Sequence, residues 1–268
     1  MRRCWWFMMA STCLACAPTR LPVVSARQPA AVAPSTLAAP SVPAAFSAPG
    51  AFARELHLQC RAFDASCSSS VGMLARAAEP EAQRCTVSLI APDRVITASH
   101  CLRPEERVAG ASCTGEWVAF PGEGGAPMEW VACAEVERAN AVDETSVMRN
   151  DVAVLRLARA VVRPVLEVDP RPPEEGSVVT VVAVQPHPIY GSQHEIEGRR
   201  CRVATQQSAS EVFGDAARAV GWLMDCPSQP GNSGSPVLDA RGRIRALMHG
   251  GSAPLHGVGV TSGLGLLR

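Results

Sequence analysis

Residues 230–236 read Pro230-Gly231-Asn232-Ser233-Gly234-Ser235-Pro236. Two prolines bracket two glycines, so the segment fits neither a helix nor the interior of a strand. Glycine lets the backbone turn so that consecutive N–H groups point at one spot. A nest of that kind holds an anion. On these seven residues alone, the segment reads as an anion-binding turn that displays one serine between glycines.

Outward from this turn, the chain is built of short β-branched runs separated by Gly, Pro and polar turns. Candidate strands lie at residues 71–74, 86–90, 94–97, 117–120, 129–136, 152–157, 177–184, 202–205, 221–224, 236–238, 244–248 and 257–260. About a dozen short strands with little helical periodicity predict an all-β barrel or sandwich domain. Residues 209–220 could form one short helix. The apolar pattern of residues 161–168 is read as barrel packing.

Two further stretches stand out. Thr97-Ala98-Ser99-His100-Cys101 follows the apolar pair Val95-Ile96, so a strand ends in small residues and then presents a histidine. Asn150-Asp151 places an acid at the mouth of the apolar run Val152-Ala153-Val154-Leu155-Arg156-Leu157. Alone, the histidine is more often structural than catalytic, and an Asp ahead of a strand is usually a turn residue.

Taken together and in this order, the three stretches resemble the His, Asp and Ser boxes of the chymotrypsin-like serine protease superfamily. The resemblance covers roughly residues 58–268. The form Gly-Asn-Ser-Gly-Ser-Pro is most similar to secreted bacterial members resembling the glutamyl endopeptidases. It implies two six-stranded antiparallel β-barrels with the active site between them. It also implies acyl transfer by a serine endopeptidase on a polypeptide substrate. Ser233 would be the nucleophile, and His100 the base that takes its proton and then protonates the leaving amine. Asp151 would hold the imidazole tautomer, and the N–H groups of Gly231 and Ser233 would form the oxyanion hole. The pair Cys85 and Cys101 matches the family's disulfide beside the catalytic histidine. No metal or organic cofactor is required.

An α/β-hydrolase fits worse. After Ser233 the chain offers Asp239, His249 and His256 in the order that fold needs, but the remaining residues are too few for its βα units. Position 235 is Ser where its elbow wants Gly.

The chain departs from the family in ways that bear on activation and specificity. Asn232 stands where trypsin-type zymogens carry an Asp that pairs with a freshly cut amine, so no such activation switch is expected; any processing would remove the leader. Pro227 occupies the position of the acid that selects basic side chains, and Asp225 is two residues farther away, so a preference for Arg or Lys is not expected. Ser228 matches a hydroxyl position of the glutamyl endopeptidases. His249 falls one residue late against their substrate-binding histidine, and a one-residue shift turns a strand side chain to the other face. Preference for acidic residues and preference for small or apolar residues both stay open. Gly250 and Gly251 leave room for a substrate along the strand edge.

Composition sets the surroundings. The 268 residues carry 25 basic and 25 acidic side chains, every basic one is Arg, and no Lys occurs. That balance argues against a nucleic-acid partner, and no apolar run is long enough to span a membrane. Residues 1–17 read as an export signal of a bacterial cell, with Arg2 and Arg3 ahead of a short apolar stretch. Two exits are open: ordinary cleavage after Ala17, or a lipoprotein route that lipidates Cys16 and tethers the protein to the outer membrane. Residues 18–54 are rich in Ala, Pro and Ser and read as an extended linker. The protease domain is placed at residues 55–268 and expected to be a monomer, secreted or periplasmic.

Eleven cysteines fit export. Cys4, Cys13 and Cys16 belong to the leader, which leaves eight. Beyond Cys85–Cys101, neighbourhood along the chain suggests Cys60–Cys67, Cys113–Cys133 and Cys201–Cys226. His57, His187, His194 and the cluster Arg199-Arg200-Cys201-Arg202 read as surface. Two rival readings use the same chain: a pseudo-protease or binding module on this scaffold, and a tethered envelope protein whose linker is the working part.

Overall fold

The computed structural model describes residues 57–62, 67–76, 85–122, 128–140, 150–186, 193–205, 207, 221–224, 226, 228–251 and 258–261. All of them lie in one unit, Val42–Arg268. In chain order the strands are β1 (His57–Ala62), β2 (Val71–Arg76), β3 (Cys85–Ala91), β4 (Arg94–Thr97), β5 (Glu116–Phe120), β6 (Glu129–Ala139) and β7 (Ala153–Leu157). They continue as β8 (Val178–Pro186), β9 (Gln193–Val203), β10 (Gly221–Met224), β11 (Pro236–Leu238), β12 (Ile244–Gly251) and β13 (Val258–Thr261). The helix expected at 209–220 falls outside the described residues.

Two barrels result, as the family resemblance implies. The first closes in the order β2-β3-β4-β7-β6-β5, with every neighbour antiparallel. In the second, β9-β10-β13-β12-β11-β8 pair in turn, and β8 pairs back onto β9. Strand β1 was not anticipated. It joins β9 in parallel along Gln193–Gly198, outside the ring.

Alternation along each strand sorts the side chains into three cores. In β3, Cys85, Val87 and Leu89 fill the first barrel. In β8, Val179, Val181 and Ala183 fill the second. The opposite faces build the junction: Val71, Met73, Ile96 and Val154 come from the first barrel, and Val182, Val184, Ile196 and Leu247 from the second. This apolar seam fixes how the two barrels meet, because burying such side chains contributes about 1.5–3 kcal/mol each before entropy is charged.

The apolar run at 161–168 is no strand. Val161 packs into the first barrel, and Leu166 and Val168 against the seam, while Val162 is fully exposed. Strand β9 begins nine residues before its expected start. Its polar residues hide it: Glu195, Glu197 and Arg199 alternate on one face, Arg200 and Arg202 lie on the other, and among its described side chains the large, apolar and buried ones are Ile196 and Val203.

Disulfides Cys85–Cys101, Cys113–Cys133 and Cys201–Cys226 are present, with sequence separations of 16, 20 and 25. Cys67 is also disulfide-bonded, while the side chain of Cys60 lies outside the described residues. No helix among the described residues is long and apolar enough to cross a membrane.

Candidate active site

Strand register brings the first two side chains together. Thr97 at the end of β4 pairs with Ala153 at the start of β7. His100 lies just beyond the one strand end and Asp151 just before the other, so the two share one rim of the first barrel. A short 3-10 turn, Ser99–Cys101, carries the histidine. The Cys85–Cys101 bridge ties that turn to the start of β3. The Ser99 hydroxyl donates to the Asn140 carbonyl at 2.8 Å, and Arg107 donates to the His100 carbonyl at 3.2 Å.

Asp151 is fully buried and grips His100 twice. Its Oδ1 accepts the His100 backbone N–H at 2.8 Å, and its Oδ2 lies 2.5 Å from His100 Nδ1. Oδ2 also contacts Nδ1 of His249. The two imidazoles sit edge to face, with centroids 5.2 Å apart. Burial pushes the Asp151 carboxyl up, but hydrogen bonds from the His100 and His249 rings and the His100 N–H outweigh it, leaving a pKa of about 2 against an ordinary 3.8.

Because the folded value lies below the unfolded one, this carboxylate stabilises the fold above pH 3.8, and the contribution is lost as pH falls through about 2. It amounts to about 2 kcal/mol. Native protein should therefore lose more denaturation free energy between pH 4 and pH 2 than Asp151→Asn does. Parallel urea-unfolding curves for the two proteins across that window would contradict the linkage.

Ser233 comes from the second barrel but is held by the first. The Ser233 carbonyl accepts the Thr86 N–H at 2.8 Å, and the Thr86 hydroxyl donates to the Gly231 carbonyl at 3.0 Å. The same hydroxyl accepts the Val184 N–H at 3.0 Å. Asn232 is buried and wholly committed to neutral backbone: its Nδ2 donates to the Val184 carbonyl at 2.8 Å, and its Oδ1 accepts the Gln229 N–H at 2.9 Å.

The glycines of the turn each have a reason. Gly231 has φ +100° and Gly234 φ +82°, left-handed conformations that cost other residues strain. At Gly234 a Cβ would lie 2.3 Å from the Thr86 carbonyl oxygen and 2.4 Å from the Thr97 hydroxyl. Gly234→Ala should thus cost about 3 kcal/mol, from strain and overpacking combined. Thermal unfolding measures this, and a melting temperature within a degree of native would refute the contact.

The Ser233 hydroxyl donates to the His249 carbonyl at 3.2 Å. Among the described residues no hydrogen bond joins it to His100, and none takes the N–H of Gly231 or of Ser233. Catalytic hydrogen bonds are often long or misaligned before substrate binds.

The residues expected to bind substrate are spread differently. Ser228 is half-buried on the approach to the turn. Gly250 and Gly251 lie on β12 and pair with β13 on one side; among the described residues no strand takes their other edge. His249 sits at the register break between Met248 and Gly250, and its ring lies on Asp151. Bulges commonly re-aim a side chain in this way. Leu247, two residues earlier on β12, packs into the seam, but alternation counted from it does not carry through the register break to His249. Thr86 was missed. In the structure it is a fully buried polar residue between Cys85 and Val87.

Comparison with known proteins agrees with this architecture. A family model described as a trypsin-like peptidase domain matches residues 85–247. No curated protein matches in sequence. Among solved structures, the scabies mite inactivated protease paralogue S-D1 is similar with a TM-score of 0.56 and 15% identity, covering 74% of this chain and 88% of that one. Neuropsin, a serine protease expressed in the limbic system of mouse brain, is similar with a TM-score of 0.55 and 14% identity, covering 73% of this chain and 90% of the other. At these identities the likeness concerns the fold.

Proposed function

The chain belongs to the trypsin-like peptidase family, and from that premise we propose that it is an exported serine endopeptidase working through His100, Asp151 and Ser233. The observation that carries the reading is the double grip of buried Asp151 on His100, with the Ser233 turn docked on the same barrel through Thr86. A carboxylate held ionised stabilises the imidazolium that forms when His100 takes the serine proton. The attacked carbonyl oxygen then becomes an anion, and the N–H groups of Gly231 and Ser233 supply the oxyanion hole. His100 returns its proton to the leaving amine, and water repeats the sequence on the acyl-enzyme.

The substrate is a polypeptide lying along the open edge of Gly250–Gly251. With the His249 ring engaged on Asp151, a small or apolar side chain is preferred over an acidic one. Asn232 needs no new amine terminus as a partner, so activity does not depend on a cut at one fixed point. Three disulfides suit an oxidising compartment. Export proceeds through residues 1–17, and the lipidated Cys16 route would add a membrane tether.

Digesting a peptide library with the exported protein and reading the cleavage sites by mass spectrometry tests both parts. Cleavage after small or apolar residues is the expected result. Cleavage after Glu or Asp would overturn the specificity. An intact library, with no labelling by a fluorophosphonate probe, would overturn the enzyme and leave a pseudo-protease.

A further inference from the structure

Oδ2 of Asp151 faces the Nδ1 atoms of two imidazoles, His100 and His249. The triad chemistry uses only one of these rings. The second is brought in by the register break in β12. One donor atom from each of the three residues lies within 4.8 Å of the others. His100 is 22% exposed and His249 12%, while Asp151 is fully buried. Both rings thus reach solvent while the carboxylate between them does not.

Two imidazoles and one carboxylate are a donor set suited to zinc and similar divalent transition ions, which take such ligands about 2.0–2.2 Å away and keep a fourth position for water. We propose that His100, Asp151 and His249 form a binding site for a zinc-like divalent cation that reversibly switches the peptidase off. The binding half stands on the geometry alone; the inhibitory half rests on the reading of His100 as the base.

The chemistry of the switch is simple. In the metal-free site, each neutral ring donates its Nδ1–H to Asp151. For Nδ1 to bind the ion, each ring moves that proton to Nε2, so the neutral rings release none. His100 Nε2 then carries a hydrogen and cannot accept the Ser233 proton. The ion also takes up the carboxylate that would stabilise an imidazolium. Both changes reverse when a chelator removes the metal.

Among the described residues the other cluster of suitable side chains, Cys85, His100 and Cys101, is closed to metal because its sulfurs are bonded to each other. His249 is therefore the residue that distinguishes the proposed site from the bare triad. His249→Ser removes the imidazole while leaving a hydroxyl that can still donate a hydrogen bond, and His249→Gln serves as a second variant. Circular dichroism checks that each is folded.

Equilibrium dialysis against micromolar Zn²⁺ should show one bound ion fewer per chain in both variants than in the native protein. In the native protein, saturating Zn²⁺ should lower fluorophosphonate labelling at least tenfold, and EDTA should restore it. Within each variant, the ratio of labelling with and without Zn²⁺ should stay within about twofold of one. Unchanged stoichiometry in both folded variants, or native labelling indifferent to bound zinc, overturns the proposal. Loss of one ion in the variants, with native protein unlabelled under every condition, upholds the metal site and defeats the peptidase reading instead.

Discussion

Ser233→Ala should reduce peptide turnover by about 10⁶-fold and abolish covalent labelling by a fluorophosphonate. Removing one oxygen removes the only atom proposed to form the acyl bond, while the shape of the turn is kept. What holds that turn is backbone and neighbours: the Ser233 carbonyl on Thr86, the Gly231 carbonyl on the Thr86 hydroxyl, and Asn232 on Val184. The serine hydroxyl contributes a single 3.2 Å bond to the His249 carbonyl. Stability should therefore change by less than about 1 kcal/mol. Large loss of activity with an unchanged melting temperature is the expected signature. A variant that still labels would remove Ser233 from the nucleophile's role, and one that unfolds would show that the hydroxyl holds the turn.

Asp151→Asn should lower kcat by about 10⁴-fold with KM little changed. The carboxylate accepts from the His100 N–H, the His100 ring and the His249 ring. An amide has one accepting oxygen and one donating nitrogen, so it cannot satisfy all three. One ring must turn or take the other tautomer, and a His100 protonated on Nε2 cannot act as a base. Steady-state kinetics on any cleaved peptide measures this. A loss below tenfold would mean that Asp151 does not position His100.

Much of this site was legible in the sequence because its parts are local. Thr97 to Cys101 and Asn150-Asp151 are weak signs alone and gain meaning from their order with Pro230 to Pro236 and the family resemblance, and strand register brings the first two to one barrel rim. The disulfides Cys113–Cys133 and Cys201–Cys226 followed from neighbourhood along the chain and are present. Nonlocal features were harder to see. Thr86 matters because of what the second barrel lays against it, which no window of sequence contains. Strand β1 finds its partner on β9, far along the chain. The aim of His249 depends on a bulge, and one extra residue in a strand leaves no reliable mark in composition. At 161–168 the reading as barrel packing holds: Val161 packs into the first barrel, and Leu166 and Val168 against the seam.

The three disulfides whose two cysteines are both described divide unevenly over the molecule. Cys85–Cys101 and Cys113–Cys133 belong to the first barrel, and Cys201–Cys226 to the second. None of these three crosses the seam, which rests on packed apolar side chains, on Thr86 and on the contact of His249 with Asp151. Each barrel is thus braced from within, like two sprung boxes pressed face to face. Under heat or denaturant the plane between them has no brace from these three bonds, and the proposed nucleophile Ser233 and base His100 come from opposite sides of it. Parting the boxes by a few ångströms would silence the chemistry while both remained intact, so inactivation should be an early and reversible event that precedes loss of the β-structure.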